Sequence, residues 1–491
     1  MKTIAHKPAL DVPGPSPVKV FGRATNAFRF AKDSIGYTRQ LFQNYGPIVS
    51  LSYGGGTNIY SPLLNCPGTV FAYGPELVRQ VATQHEIYYK HPLSGKLYRK
   101  GTDSERTEPL KHFVVGLFGV NSDQHRQHRQ LLMPAFHKQQ VESYCNDIVA
   151  ITQSVLDHWQ IGEPSNIAEV MRLLTLRVAT KTLFGEDIGE GGGCTGRLLQ
   201  DALALLSSPL IALLPLDLPG LPYHRFLNLI TRLDEEMRGM IAHKRAAGGG
   251  DKDVLSMLIQ ACDETGAVLN EDELLGHAGV IFAAGHETSS NALTWTLFLL
   301  SQHPQVAADL LDELQGVLQG EAPKVEQLPR LPLLEKVIKE SMRVLPPVPW
   351  NGRVTAQPTQ LGGYALPQGT EVLVSIYQTH HMPELYPRPE LFNPRRWETI
   401  EPTIFEYNPF SAGPRMCIGV GFAMMEMKIV LAMLLQRYRL QFIPQKIDRY
   451  GVIVMAPKDG MSMLVHKQDR QFAQGVGGVR GNVREMVDLA G

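Results

Sequence analysis

The sequence has no long uninterrupted apolar run, little cysteine and almost no net charge, and each absence removes a class of protein. Its first thirty residues, MKTIAHKPALDVPGPSPVKVFGRATNAFRF, hold no apolar stretch long enough for a signal peptide or a membrane span. The most apolar window, residues 202–223, is broken by Pro209, Pro215, Asp217 and Pro219. It reads as a helix end and an apolar loop, with a greasy lip for a lipophilic ligand as the second reading. Lys plus Arg number 47 against 48 Asp plus Glu, so the overall balance points to neither nucleic acid nor an anionic membrane. Cys66, Cys145, Cys194, Cys262 and Cys417 are scattered, without the C-x-x-C spacing of a zinc site or a dithiol. A reducing cytoplasm is the expected location.

What is present is mostly helical periodicity. Residues 48–73 read as a hairpin, IVSLSY and GTVFAY flanking a Gly- and Pro-rich connection. From about 123 to 345 the apolar spacing is that of helices, and after Pro346 the chain turns to short strands and coil until a helix follows Cys417. No repeat and no linker divides it. The expectation is a mainly α fold with a minor β part, one domain over residues 1–468 and a mobile tail at 469–491.

Three short segments carry chemistry. In ESMR, Glu340 and Arg343 lie one helical turn apart and can pair, and Arg396 in FNPRRW could close a buried network around the acid. In AAGHET, an apolar helix is interrupted by Gly285, Glu287 and Thr288. There the threonine hydroxyl can bond back to the carbonyl of Ala284 and open a groove. A packing notch for a neighbouring helix is the plainer alternative. In FSAGPRMCIG, Gly413 lets the loop turn, Phe410 can shield the Cys417 sulfur, and Gly419 admits a flat ligand. Arg415 can meet an anion at that ligand's edge, and a tight loop ahead of a helix N-terminus favours a thiolate. A merely structural cysteine explains none of these neighbours.

Together these segments resemble the cytochrome P450 family of haem-thiolate monooxygenases. The family pattern F-x-x-G-x-R-x-C-x-G is matched by Phe410, Gly413, Arg415, Cys417 and Gly419. Its E-x-x-R is matched by Glu340 and Arg343, and its A/G-G-x-D/E-T by Ala284, Gly285, Glu287 and Thr288. The resemblance implies the family's fold and a haem b cofactor with Cys417 as iron ligand. It also implies propionate contacts from Arg415, His125, Arg129 and Arg353, and proton delivery by Glu287 and Thr288. His128, His380 and His381 are expected on packing or solvated faces. Arg395 stands where relatives usually carry an acid, which leaves its role open.

With no anchor ahead of VPGPSP, the chain resembles a soluble, bacterial-type member. The resemblance implies O2 and electrons from a separate ferredoxin or flavodoxin with its NAD(P)H reductase. Arg126, Lys138 and Lys428 are candidates for the basic face that receives the donor. Val114, Val115, Phe118, Ala283, Ala284, Trp350 and Val454 are candidate walls of the substrate pocket, apolar throughout. They fit a fatty acyl chain, a terpene or another lipophile. A peroxide-using or hydroperoxide-rearranging relative and a haem sensor without turnover are the alternatives.

Overall fold

The computed structural model describes residues 10–15, 24–52, 57, 59–63, 66–92, 105–185, 187, 198, 201–202, 205, 211, 216–246, 248, 252–262 and 266–490. The helices that frame its interior are α1 (Glu108–Val115), α2 (Ser122–Leu132), α3 (Ile167–Phe184), α4 (Glu271–Gln302), α5 (Pro332–Val344) and α6 (Val420–Arg437). α4 has 32 residues, about 48 Å at the helical rise, and forms the axis of the molecule. Its start is set by a capping box. Asn270 accepts from the backbone N–H of Glu273 at 2.9 Å, and Glu273 accepts from that of Asn270 at 3.0 Å. Beyond the first turn it is apolar on nearly every face, as suits a helix enclosed by α1, α3, α5 and α6. Trp295, Phe298, Leu334, Val337 and Ile429 form part of this closed core.

The expected hairpin is present. β1 (Ile48–Ser52) pairs antiparallel with β2 (Gly68–Ala72) and begins a five-stranded sheet with β3 (Tyr88–Tyr89), β4 (Trp350–Thr355) and β5 (Glu371–Ser375), in the order β1-β2-β5-β4-β3. In β4 the pleat sends alternate side chains to opposite faces, which decides what Trp350 and Arg353 can reach. A second sheet joins Pro164–Asn166, Ser462–Lys467 and Tyr438–Phe442. The architecture is mainly α with a smaller β portion. Among the described residues no helix is long and apolar enough to cross a membrane. Half of the apolar window at 202–223 lies outside them.

The tail corrects an expectation. Residues 469–490 are packed: Val479–Arg480 pairs in parallel with Gln445–Lys446, and Val483, Met486 and Val487 are at most 1% exposed. Positive φ at Gly475, Gly477, Gly478 and Gly481 lets so short a segment fold back on itself. Arg484 donates to the carbonyls of Val479, Leu489 and Ala490, and the Asp488 N–H bonds to Glu390 O. Few apolar residues suffice because the backbone is bonded both to Arg484 and to the segments it packs against.

The Glu340 network is closed, with Glu340 and Arg343 fully buried. Both carboxylate oxygens accept from Arg343, at 2.9 and 3.0 Å; Arg396 adds a bond of 2.8 Å, Trp397 Nε1 one of 3.1 Å and the Asn393 N–H one of 2.9 Å. The guanidiniums' remaining donors reach the carbonyls of His380, Leu391 and Pro387. The cluster ties α5 to the coil ahead of the cysteine loop. Glu340→Ala leaves two interior guanidiniums without their carboxylate, and we expect a loss of about 3–5 kcal/mol. The exposed pair Arg79–Glu76 is the control: Glu76→Ala is expected to change the unfolding free energy by less than about 1 kcal/mol. Equal shifts in the two variants would contradict this account.

Candidate functional site

The loop ahead of α6 is built around Cys417. Its N–H donates to Phe410 O at 2.8 Å, and the Gly419 N–H points at the sulfur. Gly413 has φ +68, and a Cβ there would meet the Ala82 carbonyl oxygen at 2.4 Å, so the turn requires glycine. At Gly419 an added Cβ would meet nothing closer than 3.9 Å, so what glycine contributes there is open space. Cys417 is accessible although protein surrounds its sulfur on nearly every side; its open face therefore turns inward, onto a cavity. Burial pushes the thiol's pKa up, while the Gly419 N–H, Lys90 and Arg129 oppose that rise. The free chain thus disfavours the thiolate, which a metal must hold in place.

Cations converge on the same interior. Arg353, 3% exposed on β4, donates to Gly352 O at 2.8 Å. Arg415 donates to Leu117 O at 3.1 Å, Val120 O at 2.6 Å and Asn121 Oδ1 at 2.5 Å. His125 and Arg129 approach from α2, and Lys90 from the end of β3. Burial lowers the pKa of Arg353 to about 10, and burial with the neighbouring cations lowers Arg415 to about 9, Lys90 to about 7 and His125 to about 3. Among the described residues no carboxylate pairs with any of them. An enclosed set of positive charges is costly without anions. The two carboxylates of haem b are a counter-charge that this donor set fits, and Cys417 is the residue that could hold its iron. Lys90 was not visible in the sequence, where a lysine following two tyrosines looks like any surface cation.

On α4, Thr288 Oγ1 donates to Ala284 O at 2.7 Å, the back-bond expected from the sequence. A Cβ added at Gly285 would meet nothing within 4 Å, so a gap lies beside this turn. Burial raises the Glu287 carboxyl pKa, with Arg172 opposing. Ala283, Ala284, Gly285, Glu287 and Thr288 are all partly accessible, in a stretch of the helix where Phe282 and His286 are buried.

Other candidates fare differently. Trp350 is 3% exposed and packs edge-on against Phe30 and Phe71 in the sheet core, so it is no pocket wall. It lies three residues from Arg353 on one strand and hence on the opposite face. Phe118 lies under the Lys90 ammonium, 3.9 Å from its ring centroid. Val454 sits in a turn where its carbonyl crowds Gly451. The side chains of Val114 and Val115 lie outside the described residues. Lys428 does not belong to an exposed basic face: it is 9% exposed and bound to Glu335 at 2.8 Å. The side chains of Arg126 and Lys138 are 74% and 85% exposed, each beside an acid of its own helix. Arg395 is exposed and pairs with Asp309 at 2.8 Å. His380 and His381 are buried packing residues, and His128 is buried between Glu273 at 3.3 Å and His277 at 3.0 Å.

The family model described as Cytochrome P450 matches residues 12–462. Cyclooctatin synthase of Streptomyces melanosporofaciens is 34% identical over 382 residues, covering 75% of this chain and 80% of that protein. Cyclooctat-9-en-7-ol 5-monooxygenase of the same organism is 33% identical over 380 residues, with the same coverage. Cytokinin hydroxylase of Arabidopsis thaliana is 30% identical over 419 residues, 80% of this chain and 78% of its own. The solved structure of retinoic acid bound cyanobacterial CYP120A1 superposes with a TM-score of 0.78 at 26% identity, covering 93% of this chain and all of that one. With the match running nearly end to end and an interior charged for an iron porphyrin, the chain belongs to the cytochrome P450 family, haem b monooxygenases that use O2 and electrons from a redox partner.

Proposed function

We propose that this chain inserts one oxygen atom into a C–H or C=C bond of a lipophilic small molecule, with Cys417 as iron ligand and Glu287 and Thr288 serving proton delivery. The observation that carries it is the gap at Gly285, followed within the same helical turn by the Thr288 hydroxyl and a Glu287 carboxyl whose pKa is raised by burial. Haem b, when bound, supplies the activation of O2. The residues of this chain do the rest. Arg353, Arg415, Arg129 and His125 hold the cofactor's acid edge. Glu287, whose carboxyl pKa is raised by burial, retains its proton to higher pH than an exposed glutamate. Thr288 gives its own proton to Ala284 O, so its lone pairs are free to hold a water at the gap. Ala283, Ala284 and Phe118 offer apolar surface. Similar proteins are named for cyclooctat-9-en-7-ol and cytokinin, and one was solved with retinoic acid, which supports a lipophile without choosing one. The proposed electron donor is a ferredoxin or flavodoxin with its NAD(P)H reductase, in the cytoplasm; exposed Arg126 and Lys138 offer a modest basic surface to it.

Two measurements test the assignment. Cys417→Ser replaces a thiolate by a neutral hydroxyl, a far poorer iron donor at neutral pH. The reduced, carbon monoxide-treated variant should lose the red-shifted haem-thiolate band that the parent shows. Survival of the band would place the ligand elsewhere.

Thr288→Ala removes one hydroxyl and keeps helix propensity high, so haem content and melting should hardly change. NADPH and O2 should still be consumed, with coupling to product reduced about tenfold or more and the balance leaving as hydrogen peroxide. Peroxide supplied directly should restore most product formation. Unchanged coupling would remove Thr288 from proton delivery and favour a peroxide-using enzyme.

A further inference from the structure

Asn121 stands directly ahead of α2, where an asparagine ordinarily accepts from a backbone N–H of the helix's first turn. Here its side chain makes no such cap. Oδ1 accepts instead from the Lys90 N–H at 2.9 Å and from Arg415 Nη2 at 2.5 Å. Nδ2 donates to Lys90 O at 3.0 Å and to Gly119 O at 3.3 Å. The next residue is diverted as well: Ser122 has φ +51, in the left-handed region, and its hydroxyl lies 2.8 Å from that of Tyr89. The start of α2 thus forgoes its cap and carries a strained residue, while its side chains grip the end of β3 and the cysteine loop.

The grip on Arg415 has a particular chemistry. Its guanidinium bonds to Leu117 O, Val120 O and Asn121 Oδ1, so each of these partners is a neutral oxygen from residues 117–121. Neutral oxygens orient a guanidinium without cancelling its charge, and three bonds leave part of its five-donor fork for another acceptor. An aspartate at 121 would offer the same oxygen and could cap a helix equally well. It would also form an ion pair with Arg415 and cancel the charge. We propose that Asn121 is a positioning residue for the cofactor: it fixes the Arg415 guanidinium through an uncharged oxygen and so keeps that charge for a carboxylate of haem b. This rests on the haem reading above and adds to it a residue that acts through Arg415.

The test compares haem-loaded parent, Asn121→Ala and Asn121→Asp by the rate of haem transfer to excess apomyoglobin and by reduction potential. The melting temperature of each apoprotein is measured in parallel. Alanine removes the oxygen and should speed haem transfer about tenfold, the worth of one hydrogen bond to a charged group. Aspartate keeps the oxygen and pairs with Arg415, so its apoprotein should melt at or above the parent's temperature. Its haem transfer should nevertheless speed up about tenfold or more, and its reduction potential should fall, because an added negative charge favours ferric iron. A residue that only ties segments together would move haem retention and apoprotein melting in the same direction. The proposal is overturned by an aspartate variant that holds haem as firmly as the parent, or whose apoprotein melts lower or fails to fold. An alanine variant that folds and releases haem at the parent's rate overturns it too; if alanine does not fold, the aspartate variant decides. The parent's own haem uptake and carbon monoxide band report separately on the haem-thiolate reading.

Discussion

The constraint on which the site depends is positive charge enclosed without a matching acid. Four segments far apart in sequence, the end of β3, the helix α2, the strand β4 and the cysteine loop, each contribute a cation to one interior. Desolvating several like charges together is unfavourable by several kcal/mol, and burial lowers the pKa of each. The anionic edge of haem b would remove that penalty, and iron would remove the matching penalty on a thiolate at Cys417. Cofactor binding and the ordering of these segments are therefore one linked equilibrium, in which the holoprotein gains stability that the apoprotein lacks.

The Glu340 cluster is the opposite solution to the same problem. There one carboxylate is surrounded by two guanidiniums, an indole N–H and a backbone N–H, and nothing from outside the chain is needed. It completes itself on folding, and it fixes α5 to the coil that leads into the cysteine loop. One ionic centre is thus closed and structural, while the other is left open and takes a ligand. Arginine suits both, since its planar fork satisfies a carboxylate in the first and stays charged when crowded in the second.

The parts of the site legible in the sequence are those decided by local geometry. A glycine that must turn, a threonine four residues after the carbonyl it bonds, and a glutamate three residues before its arginine are all fixed within one or two turns of chain. What was illegible depends on partners distant in sequence. Lys428 looked like a surface cation, yet its stem lies in the core and its amine meets Glu335 from another helix. The tail looked mobile because its few apolar residues gave no sign that Val479, Val483, Met486, Val487 and Leu489 all meet the same core. Trp350 is the instructive error, since the signal was present: once Arg353 is assigned to the cofactor face, strand parity sends a residue three positions away to the other side.

α4 shows how a fold can accommodate a reactive gap. Glycine in a helix interior costs about 1 kcal/mol relative to alanine, and a threonine back-bond weakens the ladder further. In a short helix that turn would be the place to unwind. Here the gap lies near the middle of 32 residues, held at one end by a capping box and packed on both sides by α3 and α5. Downstream of it, Leu293, Trp295, Leu297, Phe298 and Leu299 are all at most 2% exposed. Tertiary burial rather than local propensity therefore keeps the helix continuous through Gly285. The open turn can then keep its position with the Thr288 hydroxyl in the same turn as the unfilled space.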